Sequence, residues 1–75
     1  MLLPNKLFSY SESVLSKLPT ILKVLKKEPL GVQELYKKTE KEFSGVNEYI
    51  DALDCLYALH KIEYDDGEGV LRYVI

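Results

Sequence analysis

The apolar residues of this chain recur at helical intervals in three successive stretches, and two short segments typical of strands follow them. The stretches predict helices over about residues 11–26, 32–42 and 47–59. Ser44 and Gly45 form a tight turn between the second and third helices. A short turn that contains glycine between two helices is the signature of a helix-turn-helix.

The last part of the chain predicts a β-hairpin. Residues 62–64 and 70–75 are typical of strands, and the loop between them holds two glycines. Three helices followed by a hairpin is the winged-helix order, so we predict an α+β, mainly α, winged helix-turn-helix fold with a wing at residues 62–75. A chain of 75 residues has room for one modest core, so we expect a single winged-helix-like domain over residues 1–75.

Two prolines affect the first helix. The residue before a proline is disfavoured in the α conformation, so Pro4 predicts an extended N-terminal arm over residues 1–10. Pro19 lies within the first apolar stretch. A proline inside a helix removes one backbone hydrogen bond, at a cost of roughly 3 kcal/mol. Either the helix kinks at Pro19, or it starts near Ser16 with Pro19 in its first turn.

Charge is divided unevenly along the chain. Residues 1–41 carry eight lysines and four glutamates, a net charge of +4, whereas residues 42–75 carry two cations and eight carboxylates, a net charge of −6. The third helix usually enters DNA in this fold, yet its charged residues are Glu48, Asp51 and Asp54. Carboxylates in the major groove would be repelled by the phosphates. A solvated acidic face and an interface for a basic partner both stay open.

Tyrosine supplies further candidate contact residues, because it combines apolar area with a polar tip. Three of the six tyrosines fall on helical apolar stripes and are predicted to be mostly core: Tyr36, Tyr49 and Tyr57. The partner-binding hypothesis adds the other three to the acidic residues of the third helix: Tyr10, Tyr64 and Tyr73.

The alternative function is a DNA-binding winged-helix regulator that contacts phosphates through its first two helices. Six lysines concentrate there and would be the nucleic-acid-binding residues: Lys23, Lys26, Lys27, Lys37, Lys38 and Lys41. The polar sides of two amphipathic helices would carry the same lysines, and the lack of interleaved aromatic residues favours that interpretation.

No arrangement of residues predicts catalysis. Cys55 is the one cysteine and is expected to pack as a small hydrophobe, and His60 is the one histidine, at a helix end that favours a cation. These two cannot form a four-ligand zinc site. We therefore predict no catalytic residue, no metal site and no cofactor. The apolar runs are far shorter than the ~20 residues that span a bilayer, so we expect a cytoplasmic protein without membrane contact.

Three segments of the sequence resemble the small middle component of prokaryotic ABC-three-component systems. They are MLLPNK at residues 1–6, SES at residues 11–13 and ALDCLYALHKIE at residues 52–63, and the resemblance spans almost the whole chain. The chain departs from that pattern at His60, where the resemblance favours glycine, and at Pro19, which interrupts a helix that the resemblance implies to be continuous.

The resemblance implies a short protein, not an enzyme, that is encoded beside an ABC-type ATPase and an effector subunit. Such systems are expected to act against phages or plasmids. The implied role is an adaptor that couples the ATPase to the effector, with the acidic third helix and the wing as docking surfaces. Direct DNA contact is disfavoured, and homo-oligomerisation stays open.

Overall fold

The computed structural model describes residues 4–75, with side chains from residue 9 onward. It contains three α-helices, one short 3₁₀ helix and two strands: α1 (Pro4–Lys27), α2 (Val32–Thr39), the 3₁₀ helix (Glu40–Glu42), α3 (Val46–Ala58), β1 (Ile62–Asp65) and β2 (Val70–Tyr73). This order confirms the predicted mainly helical α+β fold with a winged-helix layout.

The first helix is longer than predicted. It begins at Pro4, so the predicted extended arm is wrong from Pro4 onward, and residues 1–3 lie outside the described part of the chain. Proline suits the first turn of a helix, because its missing N–H would have no intrahelical partner there.

Helix α1 continues without interruption through Pro19, so a start near Ser16 is also wrong. Pro19 deprives the Leu15 carbonyl of its helical hydrogen bond. Both residues lie on the exposed side of α1, where water can bond to that carbonyl. The interior proline is therefore tolerated on the solvent side of the helix.

The core forms where the three helices meet the hairpin. Its fully or almost fully buried side chains include one from each helix: Ile21, Leu35 and Leu56. Tyr49 is also buried, and its hydroxyl donates a hydrogen bond of 2.6 Å to the Val32 carbonyl. This bond fixes α3 against the start of α2.

The sheet has one more partner than the sequence predicted. β1 and β2 pair antiparallel, with Ile62 opposite Tyr73. On the other side of β2, Leu71 exchanges two backbone hydrogen bonds with Leu30, of 3.2 and 2.7 Å. Leu30 lies just before α2, in the connection that follows α1. This bridge ties the wing to the connection between α1 and α2.

Helix α3 ends in a Schellman motif at His60. The Lys61 N–H donates to the Leu56 carbonyl over 2.9 Å, and the His60 N–H donates to the Tyr57 carbonyl over 3.0 Å. His60 has φ of 60°, which is the left-handed region that glycine adopts at least cost. The glycine implied by the resemblance would therefore suit this position better than histidine.

Candidate functional site

The three carboxylates of α3 do not share one surface, and Glu48 is buried with 3 % of its area exposed. Its Oε1 accepts hydrogen bonds from Lys17 Nζ at 2.8 Å and from the Ser44 backbone N–H at 3.0 Å, and its Oε2 accepts one from the Ser13 hydroxyl at 2.6 Å. These donors, Lys17 foremost, lower the pKa of Glu48 to about 2. Glu48 joins α3 to α1, and its carboxylate is not exposed for docking a partner.

Helix geometry explains why Glu48 differs from its neighbours. Each step of three residues falls about 60° short of a full turn, so Glu48 and Asp54 point about 120° apart. Gly45 caps α3, and Glu48 lies in the first turn of the helix, where its carboxylate accepts from the N–H of Ser44, the residue before the cap. A carboxylate is favoured in the first turn of a helix, and its position after Gly45 was a sequence signal for a structural role of Glu48.

Asp51 and Asp54 are exposed and lie beside a groove between α1 and α3. The Tyr10 hydroxyl of α1 donates a hydrogen bond to Asp51, and this contact raises the pKa of Tyr10 to about 12. The groove has a volume of about 440 Å³, and we call it the α1–α3 groove; its lining residues are Tyr10, Ser11, Val14, Leu15, Asp51, Asp54 and Cys55. The structure thus brings together three of the six predicted partner-binding residues.

Helix α3 also exposes an apolar stripe, which includes one residue that the sequence analysis assigned to the core. Val46, Ile50 and Tyr57 form this outer stripe, and Tyr57 is 62 % exposed. The prediction that Tyr57 is mostly core is therefore wrong. The apolar arc of α3 is wider than the face that α1 and α2 can cover, and its edge stays in solvent. The width of that arc could have been read from the spacing.

Tyr64 and Tyr73 lie elsewhere. Tyr64 is half-exposed and lines a cleft that also includes Gly69 and the start of α2 at Val32. Tyr73 is half-buried against the core, and Lys26 Nζ lies 5.1 Å from the centre of its ring. Neither tyrosine lines the α1–α3 groove.

The wing carries its own internal contacts. Asp65 accepts hydrogen bonds from the backbone N–H groups of Gly67 and Glu68, at 2.9 and 3.1 Å, and from Arg72 Nε at 2.9 Å. Arg72 is the main cause of the lowered pKa of Asp65. Asp65 therefore shapes the loop, whereas Asp66 and Glu68 are exposed.

All six lysines of the alternative function are exposed. Lys23, Lys27 and Lys38 surround a cleft of about 250 Å³ between α1 and α2, with Glu28 beside them. None of the six lines the α1–α3 groove. The basic and acidic surfaces are thus built on different parts of the fold.

The described side chains include no cluster of three or more His, Cys, Asp or Glu residues that could hold a metal ion. Cys55 is half-buried at the edge of the core, and His60 is exposed. Within the described residues, every helix is too short or too polar to cross a bilayer.

The comparisons with known proteins identify one family. The model of the family described as "ABC-three component (ABC-3C) system Middle Component 7" matches residues 3–71. A search of curated proteins and a search of solved structures found no match. The matched span contains all three helices and reaches into β2, so it includes both the α1–α3 groove and the outer stripe.

Proposed function

Because this chain belongs to the Middle Component 7 family of ABC-three-component systems, we propose that it is a non-catalytic adaptor that docks protein partners through the exposed face of α3. As a middle component, it is one part of a system with several components. The proposed partners are the ABC-type ATPase and the effector subunit. The proposed setting is antiviral or antiplasmid defence in the prokaryotic cytoplasm, with residues 1–75 acting as a single winged-helix-like domain.

The exposed face of α3 carries the proposal. It combines the apolar side chains of the outer stripe with Asp51 and Asp54, and it has no Lys or Arg. Apolar and aromatic side chains supply most of the affinity in protein interfaces, while charges steer the approach of the partner. In a DNA groove the same face would meet phosphates with carboxylates and lose affinity. The composition of this face therefore favours a protein partner.

Co-purification of the system's components tests the proposal. Tagged wild-type chain is expected to retain the ATPase or the effector, and the double variant Ile50→Gln, Tyr57→Gln is expected to bind about tenfold more weakly or worse. Leu59→Gln is the control, because Leu59 is an equally exposed apolar residue outside the outer stripe. Failure of the wild-type chain to retain either component would contradict the adaptor role.

DNA binding remains the second candidate, because all six lysines are exposed and three of them, Lys23, Lys27 and Lys38, surround one cleft. Titration of a labelled duplex at low salt tests it. A phosphate-contacting surface is expected to bind with an affinity of roughly 10⁻⁴ to 10⁻⁶ M and to weaken steeply with salt. Replacement of Lys23, Lys27 and Lys38 by glutamine should then abolish binding. Absence of binding by the wild-type chain would exclude this function.

A further inference from the structure

The α1–α3 groove lies between two antiparallel helices. Their direction follows from the side-chain contacts, because Tyr10 meets Asp51 while the later residue Lys17 meets the earlier residue Glu48. The groove has an apolar floor, in which Leu15 is 55 % exposed and Cys55 is half-buried. Its volume of about 440 Å³ is within the range of sites that bind ligands. The groove is thus large enough to take side chains of a partner.

Charge determines which partner fits. Among the side chains that the structure describes, those that line the groove include two carboxylates, Asp51 and Asp54, and no cation. Glu48 is not part of this charge, because Lys17 already pairs with it at 2.8 Å. Asp51 retains lone pairs beyond the one that accepts from Tyr10, so it can accept another donor. An apolar floor beside two exposed carboxylates complements an apolar side chain flanked by Lys or Arg.

The shape of the groove favours a helix. Residues four positions apart form ridges along its two walls, Ser11 with Leu15 on α1 and Asp51 with Cys55 on α3. Such rows accept the ridge of a third helix. The Cβ atoms of residues three apart on a helix are about 5–6 Å apart, so cations spaced by three or four residues on the partner would match Asp51 and Asp54.

We propose that the α1–α3 groove binds a basic amphipathic helix of another component of the system, with an apolar side chain on Leu15 and Cys55 and with Lys or Arg at Asp51 and Asp54. This inference rests on the proposed adaptor function and adds the chemistry of the partner. It assigns the groove a role separate from that of the outer stripe. Binding should be salt-dependent, because two of its contacts are between exposed charges.

The affinity of the chain for the purified ATPase and for the purified effector, measured at low and at high salt, tests whether the groove binds either of them. The variant Asp51→Asn, Asp54→Asn is expected to bind about tenfold more weakly at low salt and to lose most of the salt dependence. Asparagine at position 51 keeps an acceptor for the Tyr10 hydroxyl, so the fold is preserved. Leu15→Gln is expected to weaken binding by about tenfold at both salt concentrations.

Each groove variant has a matched control. Glu28→Gln with Glu42→Gln removes two exposed carboxylates that lie outside α3 and the wing, and Leu59→Gln replaces a leucine that is 57 % exposed, close to the 55 % of Leu15. The controls are expected to bind within about twofold of wild type. Thermal melts followed by far-UV circular dichroism establish that every variant is folded.

The outcomes separate this inference from the proposed function. If wild-type chain binds neither component, the adaptor function fails. If it binds and both groove variants bind equally well, the adaptor function stands and the groove is the wrong surface. A second copy of this chain would be the occupant if sedimentation showed a wild-type oligomer that dissociates in the Asp51, Asp54 variant, and that result would overturn the proposed partner.

Discussion

Glu48 and its three hydrogen-bond donors, Lys17, Ser13 and Ser44, form a cluster that allows a quantitative prediction about stability. Replacing Glu48 with glutamine keeps the shape of the side chain and removes its charge. Glutamine Oε1 can still accept from Lys17 and from the Ser44 N–H, while its amide nitrogen faces Ser13, whose hydroxyl can rotate to accept. The substitution therefore measures mainly the attraction between the carboxylate and its donors.

The pKa of Glu48 gives the magnitude. It lies at about 2 in the folded chain against an ordinary value of 4.5, a difference of about 2.5 pH units. At about 1.4 kcal/mol per pH unit this difference gives roughly 3.5 kcal/mol as an upper limit. Lys17 is 20 % exposed, so solvent weakens the pair and we expect a loss of about 2 kcal/mol at pH 7. For a domain of this size the melting temperature should fall by about 8–16 °C.

The pH dependence gives a sharper test. Because the pKa of Glu48 is lower in the folded than in the unfolded chain, the ionised carboxylate stabilises the fold above about pH 5, and this contribution is lost as the pH falls toward 2. Glutamine does not titrate. The difference in unfolding free energy between wild type and Glu48→Gln should therefore shrink by roughly half between pH 6 and pH 3.

Urea denaturation followed by far-UV circular dichroism measures both effects. Asp54→Asn is the control, since it removes an exposed carboxylate from the same helix and should change the free energy of unfolding by no more than about 0.5 kcal/mol. Equal stability of Glu48→Gln and wild type at pH 7 would refute the role of the cluster. So would a difference that is the same at pH 6 and pH 3.

Three further substitutions test other parts of the fold by urea denaturation. His60→Gly should raise the free energy of unfolding by about 0.5–1 kcal/mol, because glycine adopts φ of 60° without steric cost; a decrease would show that the imidazole itself stabilises the end of α3. Pro19→Ala should add about 1–2 kcal/mol by restoring a helical hydrogen bond, partly offset by the more flexible unfolded chain; no gain would mean that α1 already accommodates the proline. Tyr49→Phe should cost about 1–2 kcal/mol by leaving the Val32 carbonyl without its donor, and unchanged stability would exclude this bond as a link between α2 and α3.

Most elements of the fold could be predicted because their signals are local. Apolar periodicity located α2, α3 and the hairpin within a few residues, although the end of the second predicted helix is a 3₁₀ helix at Glu40–Glu42. The predicted start of α1 was wrong because of the way Pro4 was interpreted. Proline restricts the residue before it, and the prediction extended that restriction to the residues after Pro4, where helix is allowed. The bridge between Leu30 and Leu71 depends on tertiary packing and has no local signal.

The candidate site could be predicted only in part. Spacing and charge pointed to Asp51 and Asp54, and both are exposed beside the α1–α3 groove. The burial of Glu48 depends on Lys17, which lies 31 residues away in sequence, so it follows from the packing of α1 against α3. The contact of Tyr10 with Asp51 has the same origin, because it spans 41 residues. Such pairings arise from the fold and cannot be derived from the pattern of one helix.

The acidic third helix can be interpreted as a solvated face or as a docking surface, and the two interpretations differ in the residues that they explain. A face that serves only to be solvated has use for Asp51 and Asp54, but it gives no reason for apolar residues at positions that stay 40–62 % exposed, namely Val46, Ile50 and Tyr57. Glu48 is accounted for by folding alone, since its charge is satisfied inside the protein. The residues that folding does not require are thus two carboxylates and an apolar stripe on one exposed face. A docking surface explains both sets together, whereas a solvated face explains only the first.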